Sequence, residues 1–236
     1  MNKVVVVTGA GRGLGFSVVK KHIALKDTIY AFDYQITDEL KKLADEYPAL
    51  KYYLCDISQD KDVSGATSEI LTAEKHLDYL YNIAGIFIFE ERVGLAETSL
   101  DKCMLMFNIN ALGAVRITKA LWPLLGKGSV VVNVTSESGS VGAMRRVQEY
   151  GYSMSKSAEN MFSKILSNEL WEKEARVMCF HPGWLRTPMG GPAAFESDRS
   201  VSPDVSAGNI VNTILDIDKI PRDQMYMQHT GEILPW

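Results

Sequence analysis

Tyr152 and Lys156 stand one helical turn apart at the start of a long helical pattern over 150–173. Side chains at that spacing share a helix face, and this pair can carry an alcohol's proton. Tyrosine alone is a poor base at neutral pH, but an ammonium about one turn away, together with any further positive charge nearby, favours the phenolate. Such a phenol takes the hydroxyl proton during oxidation and donates one to a carbonyl oxygen as hydride arrives in the reverse direction. Tyr47 and Lys51 have the same spacing, but Pro48 interrupts them and a strand follows, so they share no helix face. Ser136 closes the run Val130-Val131-Val132-Asn133-Val134-Thr135, where its hydroxyl can bond the reacting oxygen or simply end a strand in a turn. Ser138 competes for that role. Asn110 lies uncomfortably inside a helical pattern and either holds a water linking Lys156 to solvent or merely bends the helix.

A second cluster reads as a phosphate site. Thr8-Gly9-Ala10-Gly11-Arg12-Gly13-Leu14-Gly15 follows a strand and opens a helix. In that context Gly9, Gly13 and Gly15 permit a tight turn and close approach of backbone to a pyrophosphate at the helix N-terminus; the plainer alternative is an ordinary glycine-rich turn. Asp33 ends the next strand, 18 residues after Gly15. A carboxylate there accepts hydrogen bonds from both adenosine ribose hydroxyls and repels a 2′-phosphate. Arg12 pulls the other way, since a guanidinium in the loop can reach a 2′-phosphate, unless it is simply exposed or lies over the adenine. The balance favours NAD(H) and leaves NADP(H) open. Asp56, ahead of Ile57, either accepts a hydrogen bond from the adenine amino group or caps the following helix.

These residues need a frame, and the chain supplies one. Strand patterns at 3–8, 28–33, 51–55, 77–83, 128–135, 176–181 and 224–228 alternate with helical patterns at 14–25, 37–47, 61–75, 99–125, 150–173 and 204–215. That rhythm predicts an α/β fold, a Rossmann-like doubly wound sheet of seven parallel strands with helices on both faces. The crevice of such a sheet lies beyond the carboxyl ends of its strands, where Thr8, Asp33, Asp56, Ala84, Ser136 and His181-Pro182-Gly183 all fall. Three irregular segments, 86–96, 139–149 and 184–202, are long enough to be substrate-facing loops. Ser138, Met144, Val147, Trp184, Met189 and Phe195 are candidate pocket walls, or ordinary loop anchors. Arg145 and Arg146 either meet an anionic group or are only solvated.

With 236 residues and 46% hydrophobic content, the chain reads as one domain over 1–236, with a substrate loop at about 184–202. A net charge of −4 without a like-charge run gives no nucleic-acid footprint and no membrane attachment. The three cysteines, Cys55, Cys103 and Cys179, are widely spaced in apolar surroundings and read as buried thiols of a reducing compartment. The run Val4–Val7 is too short for a signal peptide's core and no 18-residue apolar stretch occurs, which points to a soluble cytoplasmic protein. His22, His76, His181 and His229 lack ligand spacing, so no metal is implied, and no His/Asp pair supports a hydrolase triad.

The order of these motifs resembles the short-chain dehydrogenase/reductase family, in its compact branch, over essentially the whole chain. The carriers are the Thr8 to Gly15 loop, Asn82-Ile83-Ala84-Gly85, Asn110, Ser136, Tyr152/Lys156 and Pro182-Gly183-Trp184-Leu185-Arg186-Thr187. The resemblance implies a catalytic tetrad of Asn110, Ser136, Tyr152 and Lys156, with Lys156 also gripping the nicotinamide ribose and Thr187 touching the carboxamide. It further implies a cofactor site lined by Gly9, Arg12, Gly13, Leu14, Gly15, Asp33, Asp56, Ile57, Asn82, Ala84, Gly85, Pro182, Gly183, Leu185 and Thr187. More narrowly, His181 to Pro192 and the ending Gly231-Glu232-Ile233-Leu234-Pro235-Trp236 are similar to C-factor and sniffer-like carbonyl reductases. That subgroup implies a small or hydrophobic carbonyl or alcohol substrate and a homodimer or homotetramer built on the two long helices. An idle NAD-binding signalling protein and an NADPH-dependent carbonyl or 3-oxoacyl reductase are the alternatives. Ile83 stands where the family has a second Asn, and the 16 residues from Ser136 to Tyr152 make a longer loop than usual.

Overall fold

Apolar runs hemmed by glycine and polar turns become the strands of one sheet. The computed structural model describes residues 2–236. The strands are β1 (Val4–Thr8), β2 (Thr28–Asp33), β3 (Leu50–Leu54), β4 (Tyr79–Asn82), β5 (Val130–Val134), β6 (Arg176–His181) and β7 (Tyr226–Gln228). Their order is β3-β2-β1-β4-β5-β6-β7, and every pair is parallel. The central strands β4 and β5 are buried throughout, which is why they read as continuous apolar runs rather than alternating ones. Strand order reverses beside β1, whose neighbours are β2 and β4, so the crevice opens between the carboxyl ends of β1 and β4.

Around the sheet lie α1 (Gly13–Ala24), α2 (Asp38–Glu46), α3 (Asp60–Ala73), α4 (Leu100–Asn110), α5 (Leu112–Ala120), α6 (Tyr150–Glu169), α7 (Pro192–Glu196) and α8 (Pro203–Leu215). Helix α1 packs with α8, and α4 with α6. Thr37, Ser99 and Ser202 cap α2, α4 and α8 with their hydroxyls. Val5, Val6, Val7, Ile29, Phe32, Leu80, Val131, Val132 and Phe180 form the sealed centre.

The single helix expected over 99–125 is instead two. It breaks at Asn110-Ala111, and α5 ends at Ala120 ahead of a 3-10 turn containing Pro123. The break has a cause on another element: the Asn110 amide turns onto Ile86, accepting from its N–H at 2.7 Å and donating to its carbonyl at 3.0 Å. His22 is buried and structural, with an acidic partner. Its Nδ1 is 2.8 Å from Asp27 and its Nε2 3.0 Å from Tyr81, all three buried. Asp27 directly precedes β2, so this chain belongs to the opposite end of the sheet from the crevice. The three cysteines are free and buried.

Candidate active site

The glycine loop is built for a close ligand. Gly9 has φ +67°, and a Cβ there would lie 2.9 Å from the Ala84 backbone. A Cβ on Gly15 would stand 2.1 Å from the Gly9 carbonyl. Only glycine fits either position. Thr8 ties the two sides of the crevice, its hydroxyl accepting from Ile83 N at 3.0 Å and Ala84 N at 3.1 Å. Helix α1 begins without a side-chain cap and without an acid in its first turn, so its leading N–H groups keep their donors for an anion. That cradle suits a pyrophosphate.

Asp33 is buried at the end of β2, accepting from Gly11 N at 2.8 Å and Gln35 N at 3.0 Å. Arg12 lies over the Tyr34 ring, 5.5 Å from its centroid, and bonds the Tyr34 hydroxyl. Thr187 reaches the loop from the far side, its methyl 3.3 Å from where a Gly13 Cβ would be. Asp56 accepts from Ser58 N at 2.9 Å and thus closes a turn; α3 starts later, at Asp60, so Asp56 is not its cap. Leu14 and Ile57 turn their side chains into the core. Asn82 donates to Asn133 at 2.8 Å and Thr118 at 3.2 Å, joining β4 to β5. Pro182 accepts from Ser206 at 2.7 Å, Gly183 takes φ +83°, and Leu185 bridges to Val201.

Asn110 and Lys156 meet beside Gly85, between β4, β5 and α6. A Cβ on Gly85 would lie 3.1 Å from Asn110 Oδ1 and 3.7 Å from Lys156 Nζ, so the three share one small space. Asn110 also donates to Ser155 Oγ at 3.0 Å, and Ser155 donates to the Tyr152 carbonyl at 2.7 Å. Lys156 is buried, and its ammonium donates to Val134 O at 2.9 Å and to Glu159 at 2.7 Å. Ser136 Oγ accepts from Ser138 N at 3.1 Å, while Tyr226 donates to the Ser136 carbonyl at 2.6 Å. Burial lowers the affinity of Lys156 for its proton, but Glu159 and Tyr152 more than restore it. Burial pushes the Glu159 carboxyl up to about 7 against the pull of Lys156.

Sequence reasoning passed over Glu159, although it stands three residues after Lys156. The signal was a run of polar residues at helical spacing, Ser155, Lys156, Glu159 and Ser163, all of which are buried. It also passed over Phe87, whose ring meets Tyr152 edge-on at 5.0 Å, and Phe89, 5.0 Å from Phe87. Arg92 covers both rings. Of the expected pocket walls, Trp184 is held by Gly190 O at 2.9 Å and Ser138 is buried. Met144 is half-buried in the 139–149 loop. Val147, 80% exposed, stands largely in solvent, and Met189 and Phe195 are partly exposed. Arg146 is not simply solvated: it bonds Glu137 at 2.9 Å and Glu149, which Arg92 also holds at 2.9 Å. A surface cavity of about 400 Å³ lies between Arg92 and residues 145–149.

The family model for short chain dehydrogenases matches residues 3–197. The chain belongs to the short-chain dehydrogenase family. It is therefore an oxidoreductase that works with a nicotinamide dinucleotide. Similar proteins include the C-signal of Myxococcus xanthus, 35% identical over 132 residues, which span 55% of this chain and 76% of that protein. Among solved structures, the NADPH-bound carbonyl reductase from chicken fatty liver superposes with a TM-score of 0.89 at 23% identity, covering 100% of this chain and 99% of that one. The carbonyl reductase Sniffer of D. melanogaster gives 0.88 at 24% identity, with 100% of both chains covered. Both share the family's fold. Among the described residues, no helix is long and apolar enough to cross a membrane, and no cluster of three or more His, Cys, Asp or Glu could hold a metal.

Proposed function

We propose that this chain moves hydride between NAD(H) and a ketone or secondary alcohol, with Tyr152 as the acid and base. The convergence of Asn110, the Gly85 backbone and Lys156 next to the uncapped start of α1 carries the reading. Gly9, Gly13, Gly15 and the first turn of α1 would hold the pyrophosphate; Ala84, Gly85, Pro182, Gly183, Leu185 and Thr187 would hold the nicotinamide half. When bound, the nicotinamide supplies or accepts the hydride. Tyr152 gives its proton to the carbonyl oxygen in reduction and takes the hydroxyl proton in oxidation. Ser136 donates to the same oxygen and orients it. Lys156 has three N–H donors, two of them engaged by Val134 and Glu159, which leaves one for a ribose hydroxyl or a water. Asn110 positions that region through Ile86 and Ser155.

Asp33 supports NAD(H), being a buried carboxylate at the ribose position. Arg12, one guanidinium away over Tyr34, is the observation that keeps NADP(H) in view. Phe87 against Tyr152 supports a hydrophobic carbonyl or alcohol, with the loop 184–202 closing over it. Exposed apolar residues on α4 and α6 support a homodimer or homotetramer built on those helices, and three free cysteines fit a cytoplasmic setting.

The test is a panel of ketones and secondary alcohols assayed with NADH and NADPH side by side, on the parent and on Tyr152→Phe. The variant should bind NADH as the parent does and lose turnover by about 10²-fold or more. Retained turnover would overturn the reading, and inactivity of the parent across the panel would favour a binding-only, signalling role.

A further inference from the structure

Glu159 lies directly behind the proposed chemistry and is given no part in it. It is 2% exposed on the inner stripe of α6, and Lys156 beside it is 5% exposed. A carboxylate buried that deeply is costly unless paired and hydrogen-bonded. Its cation is the Lys156 ammonium, at 2.7 Å.

The neighbouring elements bring no competing charge. From β5 come the Val134 carbonyl, which takes another Lys156 N–H, and the Asn133 amide, which donates to Ser163 Oγ at 2.7 Å. Ser163 in turn donates to the Glu159 carbonyl at 2.6 Å. From β6 comes Cys179, whose thiol burial pushes up to about 12, and from β7 comes Tyr226, likewise pushed up to about 12. Both are neutral in the working range. Glu137, on the 3-10 turn against α6, is paired with Arg146. On α4 and α5, Lys102 pairs with Glu91 and Arg116 with Asp60. The ammonium that faces Tyr152 is therefore half of a closed ion pair.

We propose that Glu159 is a positioning residue that anchors the Lys156 ammonium and offsets its charge, so that Tyr152 responds to the Lys156/Glu159 pair and not to a lone cation. This rests on the assignment of Tyr152 as acid and base. An ionised Glu159 weakens the ammonium's hold on the phenolate, and a protonated one releases the full field. The pair thereby tempers the loss of oxidation activity as pH falls.

Glu159→Gln tests this, because the amide keeps an acceptor oxygen for Lys156 and drops the charge. Its rate of oxidation should rise with pH along a limb displaced by about one pH unit toward acid, with KM for the alcohol little changed. Independently of turnover, the infrared difference between the cofactor-free parent and Glu159→Gln should contain a carboxyl band that titrates near neutrality. A pH profile superimposable on the parent's, in an enzyme that Tyr152→Phe inactivates, overturns the proposal; a difference spectrum lacking that band overturns its tempering with pH, since a Glu159 that takes no proton near neutrality offsets the ammonium equally across the working range. Should Glu159→Gln not fold, Glu159→Leu carries the same pH comparison. If Tyr152→Phe stays active, the assignment of Tyr152 falls, while the infrared band still reports Glu159.

Discussion

Asp33 shapes the glycine loop and is proposed to choose the cofactor. Its two oxygens take the N–H groups of Gly11 and Gln35, so the carboxylate shapes the glycine loop before any ribose arrives. An amide has one acceptor oxygen and turns an NH₂ toward a backbone N–H. Asp33→Asn should therefore cost on the order of 1–2 kcal/mol of stability and move the kcat/KM ratio of NADH to NADPH by about tenfold toward NADPH. Steady-state kinetics with both cofactors reads it, and an unchanged ratio would remove Asp33 from cofactor choice. Asp33 was legible because it ends a strand at a fixed distance past the glycines. Glu159 was not. An acid three residues from a lysine on a helix ordinarily reads as a solvated i,i+3 pair, and only tertiary packing puts this pair inside.

At the level of elements, the strands were legible because parallel strands buried on both faces must be apolar throughout, as Val130 to Val134 nearly are. The break between α4 and α5 was not, since its cause is the backbone of Ile86, 24 residues away. Pattern along a helix carries no information about such a partner. The outward faces were legible only in part. On α6, Met154, Met161 and Ile165 recur at helical spacing and are exposed, Met161 by 62% and Ile165 by 57%, with Met104 and Leu105 exposed on the neighbouring α4. An apolar stripe of that kind on two packed helices is what a second copy of the chain would cover. Sedimentation should show a dimer or larger for the parent, and Met161→Asp with Ile165→Asp should reduce it to a single chain without changing its far-ultraviolet dichroism. A parent that sediments as one chain at micromolar concentration would sink this.

Over the whole molecule, two groups shielded from water, Glu159 buried and His181 half-buried, give the stability opposite dependences on pH. His181, at the end of β6, is held down to about 4 by burial, from an ordinary 6.5. The unfolded chain takes up that proton first, so this contribution to stability is complete above pH 6.5 and is lost as pH falls toward 4. Glu159 is held up to about 7 from 4.5, so the folded chain takes up its proton first. Its contribution is complete below 4.5 and is lost as pH rises through 7. Between 4.5 and 6.5 the two slopes oppose each other and largely cancel. Glu159→Gln removes one of them. The unfolding free energy of the parent relative to this variant should then rise by on the order of 3 kcal/mol between pH 7.5 and pH 4.5, as urea titrations at stepped pH would measure. A difference that stays constant across that interval would mean that the fold does not hold Glu159 protonated above its ordinary range.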